Sequence, residues 1–247
     1  MTPDARRLEE LSLNSSAPPG QLLYDGWLLR MLPGKAKRAR SVNAVYPSTL
    51  PVGDKIEYCE RLYARLGLPA LFRITPFVTP ATLDRELESR GYGTFDATAV
   101  ESAPIPLDLP SECAGAIELD AFVEAIGDLR GSSPEHRRAH RARLQGTPLA
   151  LHAVAVEQGG AIVATGLTIV EDDCAGLFDI ATHDGARRQG HARKVVTALL
   201  GKARELGARH AYLQVQADNA PARSLYRDFG FVERYMYWYR GREGERK

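Results

Sequence analysis

The chain has 247 residues, with 32 Lys and Arg against 31 Asp and Glu, for a net charge of +1. At roughly 150 residues per domain, this length falls between one large domain and two small ones. Apolar residues at 44% and charged residues at 26% exclude a disordered chain. The charge balance argues against a protein built to coat nucleic acid or an anionic membrane.

No apolar run approaches the ~20 residues of a membrane span. The first ten residues carry acidic side chains and no apolar core of the kind a secretion signal has. Cys59, Cys113 and Cys174 are far apart and odd in number. They suggest a reducing compartment, and a cytoplasmic protein is expected, with neither a disulfide framework nor a metal cluster.

In chain order, residues 2–13 suggest a short helix, stopped by Asn14-Ser15-Ser16 and Pro18-Pro19-Gly20. Residues 22–30 suggest a strand, Pro33-Gly34 a turn, and 37–45 a second strand. Asp54 is placed to cap a helix whose apolar residues Ile56, Cys59, Tyr63 and Leu66 follow helical spacing, with Gly67 as its stop. A strand at 70–75, a helix at 80–89 and a strand at 92–100 follow. Ala103–Pro110 holds three prolines in eight residues, an extended connector that marks a domain boundary.

Beyond it, 119–145 is helical and breaks near Gly131-Ser132-Ser133-Pro134. Strands are expected at 149–157, 161–170 and 175–182. A long helix then places Ala192, Val195, Val196, Leu199, Leu200, Ala203 and Leu206 on one face and stops at Gly207. A strand at 210–216, a helix at 219–228 and a strand at 231–240 complete the chain. This order predicts a mixed α/β sheet with helices on its faces.

Two stretches carry chemistry. The first runs from Asp179 to Arg193: a strand, a loop and the first turn of the long helix. Such a turn presents unpaired N–H groups and the positive end of the helix dipole, where a pyrophosphate fits. Gly190 lacks a Cβ and Ala192 has only a methyl, so phosphate oxygens can approach the amides. Arg187, Arg188 and Arg193 can add charged contacts. The second runs from Tyr212 to Phe231. Asp218 or Asn219 can cap the next helix, Pro221 fits its first turn, and Tyr226 lies two turns after Asn219 on the same face. Taken alone, that stretch is equally a capped helix with a core tyrosine.

Together the two stretches resemble the GNAT superfamily of N-acetyltransferases, over roughly residues 112–240. The resemblance implies a GNAT fold, a mixed and mostly antiparallel sheet flanked by helices. It implies acetyl-CoA as co-substrate. Ile180, Ala181 and Thr182 would pair with the pantetheine arm. The Arg-x-x-Gly-x-Ala loop of Arg187, Arg188, Gln189, Gly190, His191, Ala192 and Arg193 would hold the pyrophosphate. Asn219 would bind the pantetheine side, and Tyr226 would protonate the departing thiolate. No metal is implied. A phenol of pKa ~10 can donate to a thiolate of pKa ~8.5.

The ribosomal-protein branch of the family has Leu-Glu-Val where this chain has Leu213-Gln214-Val215. Gln214 cannot replace that glutamate as general base, and Asp179, acting through a water, is an alternative. A neutral lysine amine at pH 7 costs roughly 4.6 kcal/mol, an α-amine near pKa 8 about 1.4 kcal/mol. The acceptor is therefore expected to be a small-molecule amine or a peptide, with an α-amine or a low-pKa amine favoured. Transfer is expected to be direct, in a ternary complex. Two alternatives stand beside this: a catalytically inactive CoA-binding regulator, and an acyltransferase that uses a longer acyl-CoA.

The first half repeats the order of the second. Aligning Arg90-Gly91-Tyr92 on Phe229-Gly230-Phe231 sets Leu87 against Tyr226 and Pro80 against Asn219. Residues 1–105 thus suggest a degenerate GNAT-like domain before a GNAT domain at 112–247. They are similar to the N-terminal region of tandem bacterial acetyltransferases. A monomer with the two halves as a pseudo-dimer, or a homodimer, is expected, with no nucleic-acid or membrane partner. Of the remaining signals, Lys35–Arg40 reads as a solvated turn. The basic stretch His136–Arg143 reads as a solvated helix face or a basic lip for an acidic acceptor. His191 reads as pointing outward, and alternating Tyr235, Tyr237 and Tyr239 as sheet packing.

Overall fold

The computed structural model describes residues 3–109 and 114–244. Cys113 and the end of the proline-rich connector lie outside the described residues. The chain divides into two compact units that interleave along the sequence: Met1–Ser15, Val100–Val215 and Asn219–Arg234 form one, and Ser16–Ala99, Gln216–Asp218 and Tyr235–Lys247 the other.

The helices are α1 (Ala5–Ser15), α2 (Val52–Arg65), α3 (Leu83–Ser89), α4 (Leu119–Leu129), α5 (Pro134–Gln145), α6 (His191–Glu205) and α7 (Ala220–Asp228). The strands are β1 (Gln21–Tyr24), β2 (Trp27–Arg30), β3 (Val42–Ala44), β4 (Phe72–Ile74), β5 (Gly93–Pro104) and β6 (Gly115–Ile117), then β7 (Ala150–Gln158), β8 (Ala161–Glu171), β9 (Cys174–Thr182), β10 (His210–Gln216) and β11 (Val232–Gly241). Most elements match the sequence expectation. The expected strand at 22–30 is instead a hairpin, because Asp25-Gly26 forms a turn between β1 and β2. The expected strand at 37–45 is a 3-10 turn at Lys37–Ala39 followed by the short β3. Pro51, not Asp54, precedes α2, and Asp54 lies in its first turn. β6 is a three-residue strand with no periodic signal of its own.

In the unit that holds most of the second half, the strands run β5-β10-β9-β8-β7-β6. The β6–β7, β7–β8 and β8–β9 pairs are antiparallel, and β9–β10 is parallel. α6 packs on β7, β8 and β9 through Val195, Val196, Leu199, Leu200 and Ala203. Burying each of the larger of these side chains is worth about 2 kcal/mol. α4 packs on the same strands and pairs with α5. α1 joins this unit through polar contacts: Ser15 Oγ lies 2.9 Å from the Tyr212 hydroxyl, and Arg143 donates to the Ser15 carbonyl at 3.1 Å.

In the other unit, the strands run β1-β2-β3-β4-β11-β5. Trp27, Leu29, Ile56, Tyr63, Phe72 and Leu87 are among its core. Tyr237 and Tyr239 are buried on alternate positions of β11, as the period-2 pattern predicts. Lys35–Arg40 is not the solvated turn expected. Arg38 donates to the Tyr237 hydroxyl at 3.3 Å, Lys37 pairs with Asp96 at 2.7 Å, and Ala39 is buried. The 3-10 turn rolls the run onto the sheet.

A defect in the β8–β9 ladder shapes the site. Thr165 faces Ala181 and Leu167 faces Phe178, so Asp179 and Ile180 together oppose the single residue Gly166. This is a β-bulge. A Cβ on Gly166 would lie 2.6 Å from Val195 Cγ1, 2.9 Å from Leu199 Cδ1 and 3.2 Å from Ile180 Cγ1. Gly166→Ala therefore overpacks the seam between the bulge and α6. We expect a loss of about 1–3 kcal/mol, read as a lower urea midpoint with an unchanged m-value.

Candidate active site

The parallel ladder of β9 and β10 runs from Cys174↔His210 to Leu177↔Leu213 and pairs no further. Beyond it, Ile180, Ala181 and Thr182 pair only with β8 on one side, through Thr165↔Ala181 and Ala164↔Thr182. Their other edge faces the gap between the diverging strands, where backbone N–H and C=O groups can take an extended ligand.

The loop after β9 leads into α6 through a short 3-10 turn at Asp184–Ala186. His183 Nδ1 accepts from the Gly185 N–H at 3.2 Å, and Arg187 pairs with Asp184 at 2.6 Å. Arg188 and Gly190 both adopt left-handed φ, +62° and +79°. Gly190 is the N-cap residue of α6, and no side chain caps the helix or places an acid in its first turn. A Cβ at Gly190 would meet nothing within 4 Å. The glycine is thus required by its backbone angle, and the space before the helix is open. An uncapped, 15-residue helix with an open N-terminus suits an anionic group such as a pyrophosphate.

Side chains of the loop divide by position. Arg187, Arg188 and Gln189 are exposed. Arg193 pairs with Asp228 of α7 and lies 5.4 Å from the Phe229 ring, so it ties α6 to α7. His191 does not point outward. It is 7% exposed, because it lies four residues before Val195 and shares the inward stripe of α6.

Asn219 is the N-cap of α7, where its side-chain oxygen accepts from the Ala222 N–H at 3.2 Å. Tyr226 follows on α7 and is 8% exposed. Burial is the main cause that raises its phenol to about 12; the charge of Glu101 adds to the rise and Arg130 opposes it. Glu101, on β5, is itself buried and accepts from Arg223 Nε at 2.8 Å. Gln214 contacts the Ser12 hydroxyl of α1.

Asp179 occupies the bulge with φ +54°. Arg130 Nη1 lies 2.7 Å from its Oδ1, His140 Nε2 3.0 Å from its Oδ2, and Arg143 Nη2 3.9 Å from its Oδ2. Burial alone would raise this carboxyl; Arg130, His140 and Arg143 outweigh it and hold Asp179 well below the ordinary carboxylate range. Asp179 is therefore a poor proton acceptor, which argues against the alternative that it serves as base through a water. The basic lip is corrected in part too. Arg137 pairs with Glu124 and Asp128, and Arg141 with Asp120 and Glu124, all at 2.7–2.8 Å, so α4 neutralises these cations. Arg130, His140 and Arg143 are the site residues that sequence reasoning missed. The signal for His140 and Arg143 is their spacing with His136, which places them on one face of α5; Arg130, the C-cap residue of α4, has no such signal.

Comparison with known proteins agrees with this geometry. The acetyltransferase (GNAT) family model matches residues 119–231. These residues are a GNAT-family N-acetyltransferase domain. The GNAT domain lies in a chain that is 28% identical, over 96% of its length and 98% of the relative's, to the uncharacterised N-acetyltransferase YobR of Bacillus subtilis. It is 37% identical to the ribosomal protein bS18-alanine N-acetyltransferase of Escherichia coli, over 31% of this chain and 51% of that protein. A GCN5-related N-acetyltransferase from Kribbella flavida superposes with a TM-score of 0.71 at 17% identity, covering 99% of this chain and 97% of the other. That likeness establishes the fold.

The ion cluster links stability of the GNAT domain to pH. Asp179 is depressed in the folded state, so its contribution is complete above the unfolded carboxyl pKa of ~3.9 and is lost as pH falls through the folded value. Asp179→Asn should cost about 3 kcal/mol at pH 7 by removing the carboxylate that Arg130, His140 and Arg143 share, and about 1 kcal/mol less at pH 3, where the unfolded carboxyl is protonated and the folded one is not. Urea melts of both proteins at the two pH values measure the difference.

Proposed function

We propose that this chain transfers the acetyl group of acetyl-CoA to a primary amine, by direct attack in a ternary complex. The observation that carries the reading is the divergence of β9 from β10 beside the open N-terminus of α6. Ile180, Ala181 and Thr182 offer an unpaired backbone edge for the pantetheine arm. The N–H groups around Gly190, with Arg187 and Arg188, suit the pyrophosphate. The Asn219 amide nitrogen remains to contact the arm while its oxygen caps α7. The co-substrate supplies a thioester whose carbonyl carbon accepts the amine.

Tyr226 is the acid in this reading. A phenol at about 12 is a weak donor. Transfer to a thiolate of pKa ~8.5 is uphill by roughly 4.8 kcal/mol if it occurs alone. The attacking nitrogen becomes cationic as it bonds the acetyl carbon, and its N–H is then far more acidic than the phenol. Transfer through Tyr226 is favourable when the phenol takes that proton as it releases its own to sulfur. Arg130, the cation that lowers the phenol, eases this exchange.

The reading is tested by thioester consumption with acetyl-CoA and a panel of α-amines and lysine amines; tight binding with no turnover on any amine overturns it. Tyr226→Phe should lower kcat about 10²–10⁴-fold with little change in KM for acetyl-CoA. Because burial holds the phenol protonated, wild-type kcat should show no decline assignable to Tyr226 below about pH 11. Gly190→Glu forces a side chain into a left-handed position and sets like charge against pyrophosphate. It should raise KM for acetyl-CoA by about tenfold or more and leave the unfolding free energy from urea melts within about 2 kcal/mol of wild type.

A further inference from the structure

The reading above leaves the proton on the acceptor ammonium without a destination. The carboxylates near Tyr226 are engaged. Glu101 is held by Arg223 at 2.8 Å, and Asp179 by Arg130 at 2.7 Å. Gln214 carries no titratable group and contacts Ser12. The imidazole of His140 lies in the same cluster, against Asp179.

His140 sits in the second turn of α5, on the face it shares with His136 and Arg143. Its Nε2 is buried and lies 3.0 Å from Asp179 Oδ2, an ion-pair contact without hydrogen-bond geometry. The ring edge packs against Phe122 of α4, with centroids 6.2 Å apart. The side chain keeps 20% exposure, so the ring is reachable from solvent. A carboxylate facing one ring nitrogen places the proton on that nitrogen and the lone pair on the other. With Nε2 turned to Asp179, Nδ1 is the ring nitrogen left to accept a proton.

The same aspartate ties this ring to the acid. Arg130 bonds Asp179 Oδ1 and lies within electrostatic reach of the Tyr226 hydroxyl. The bulge that gives Asp179 its left-handed φ also starts the edge at Ile180. Asp179 of β9 faces His140; Arg130 at the end of α4 and Arg143 of α5 share that carboxylate, and His136 lies one turn earlier on α5. Glu124 and Asp128 of α4 are paired with Arg137.

We propose that His140, oriented by Asp179 at the β9 bulge, is the general base that deprotonates the acceptor amine. This rests on the N-acetyltransferase reading of the site. One proton passes from the acceptor ammonium to His140 Nδ1 and then to solvent. The neutral nitrogen bonds the acetyl carbon, and the C–S bond breaks with its electron pair on sulfur. The second N–H proton is lost to Tyr226 as the Tyr226 proton moves to sulfur. The sum is ammonium plus thioester giving amide, thiol and one proton. Asp179 is a positioning residue in this scheme.

The test uses the full chain with acetyl-CoA and two probe amines, alaninamide and Nα-acetyl-lysine amide. Wild-type kcat/KM should rise with pH through one acid limb, because only the neutral imidazole accepts a proton. His140→Gln should lower kcat/KM about 10²-fold and abolish that limb, with KM for acetyl-CoA unchanged. Imidazole in the buffer should restore turnover to His140→Gly. Asp179→Asn should lower kcat and keep a limb, since the ring remains. Tyr226→Phe should lose rate and keep the limb intact. Ring ¹⁵N shifts of the wild-type protein supply a readout independent of turnover and of the variants' folding, and should show the Nε2–H tautomer at His140. A limb that survives His140→Gln at near wild-type rate overturns the assignment, as does an Nδ1–H tautomer. Wild-type failure on every amine overturns the transferase reading with it, whereas loss of the limb alone separates the two.

Discussion

The site depends on one backbone defect. Asp179 takes a left-handed φ so that two residues of β9 oppose one of β8. For a non-glycine residue that conformation costs about 1–2 kcal/mol. The residue opposite is Gly166, where a Cβ would collide with α6 and Ile180. The cost is offset by the contacts the distortion permits, since it places the Asp179 carboxylate among Arg130, His140 and Arg143. A regular ladder would pair β9 with β8 without interruption and would re-aim the Asp179 side chain.

From the bulge onward, two further features follow. β9 leaves β10 after Leu177↔Leu213, which exposes the edge of Ile180 to Thr182. The chain then turns through Asp184–Ala186 and left-handed Arg188 and Gly190 to start α6 without a cap. Helix and strand edge thus meet at one loop, with an uncapped helix N-terminus at one end and a strand edge paired on one side at the other. Arg193 binds this loop's helix to α7 through Asp228, which fixes the element that carries Tyr226.

Much of this was legible in the sequence. Periodicity located α6 and its buried face, because four large apolar residues at helical spacing leave few other solutions. The Arg-x-x-Gly-x-Ala loop and the Asn219-to-Tyr226 spacing pointed to the family through local chemistry. What was not legible depends on pairing across the sheet. A bulge has no composition of its own, so Asp179 looked like a free carboxylate in reach of a water. The basic stretch of α5 showed charge but not partners. α4 supplies Asp120, Glu124 and Asp128 to Arg137 and Arg141, and the other face of α5 is left for Asp179. In the other unit, the basic run at Lys35–Arg40 looked solvated because nothing local announces Tyr237, some 200 residues away.

Asp179 and Tyr226 are each set by Arg130, and in opposite senses. The guanidinium bonds the carboxylate and lowers it, and its charge restrains the rise that burial imposes on the phenol. A single cation between an acid and the partner of a base favours the charge separation that proton exchange creates. As the phenol gives up its proton, the developing phenolate is drawn toward Arg130. As the imidazole gains one, the new cation is drawn toward Asp179, whose charge Arg130 and Arg143 already share. The two ends are therefore not independent in the proposed scheme: removing Asp179 takes from Arg130 the carboxylate it bonds and from the imidazole its counter-ion. The bulge, by presenting that carboxylate, would set the electrostatics of both halves of the proposed reaction through one positioning residue.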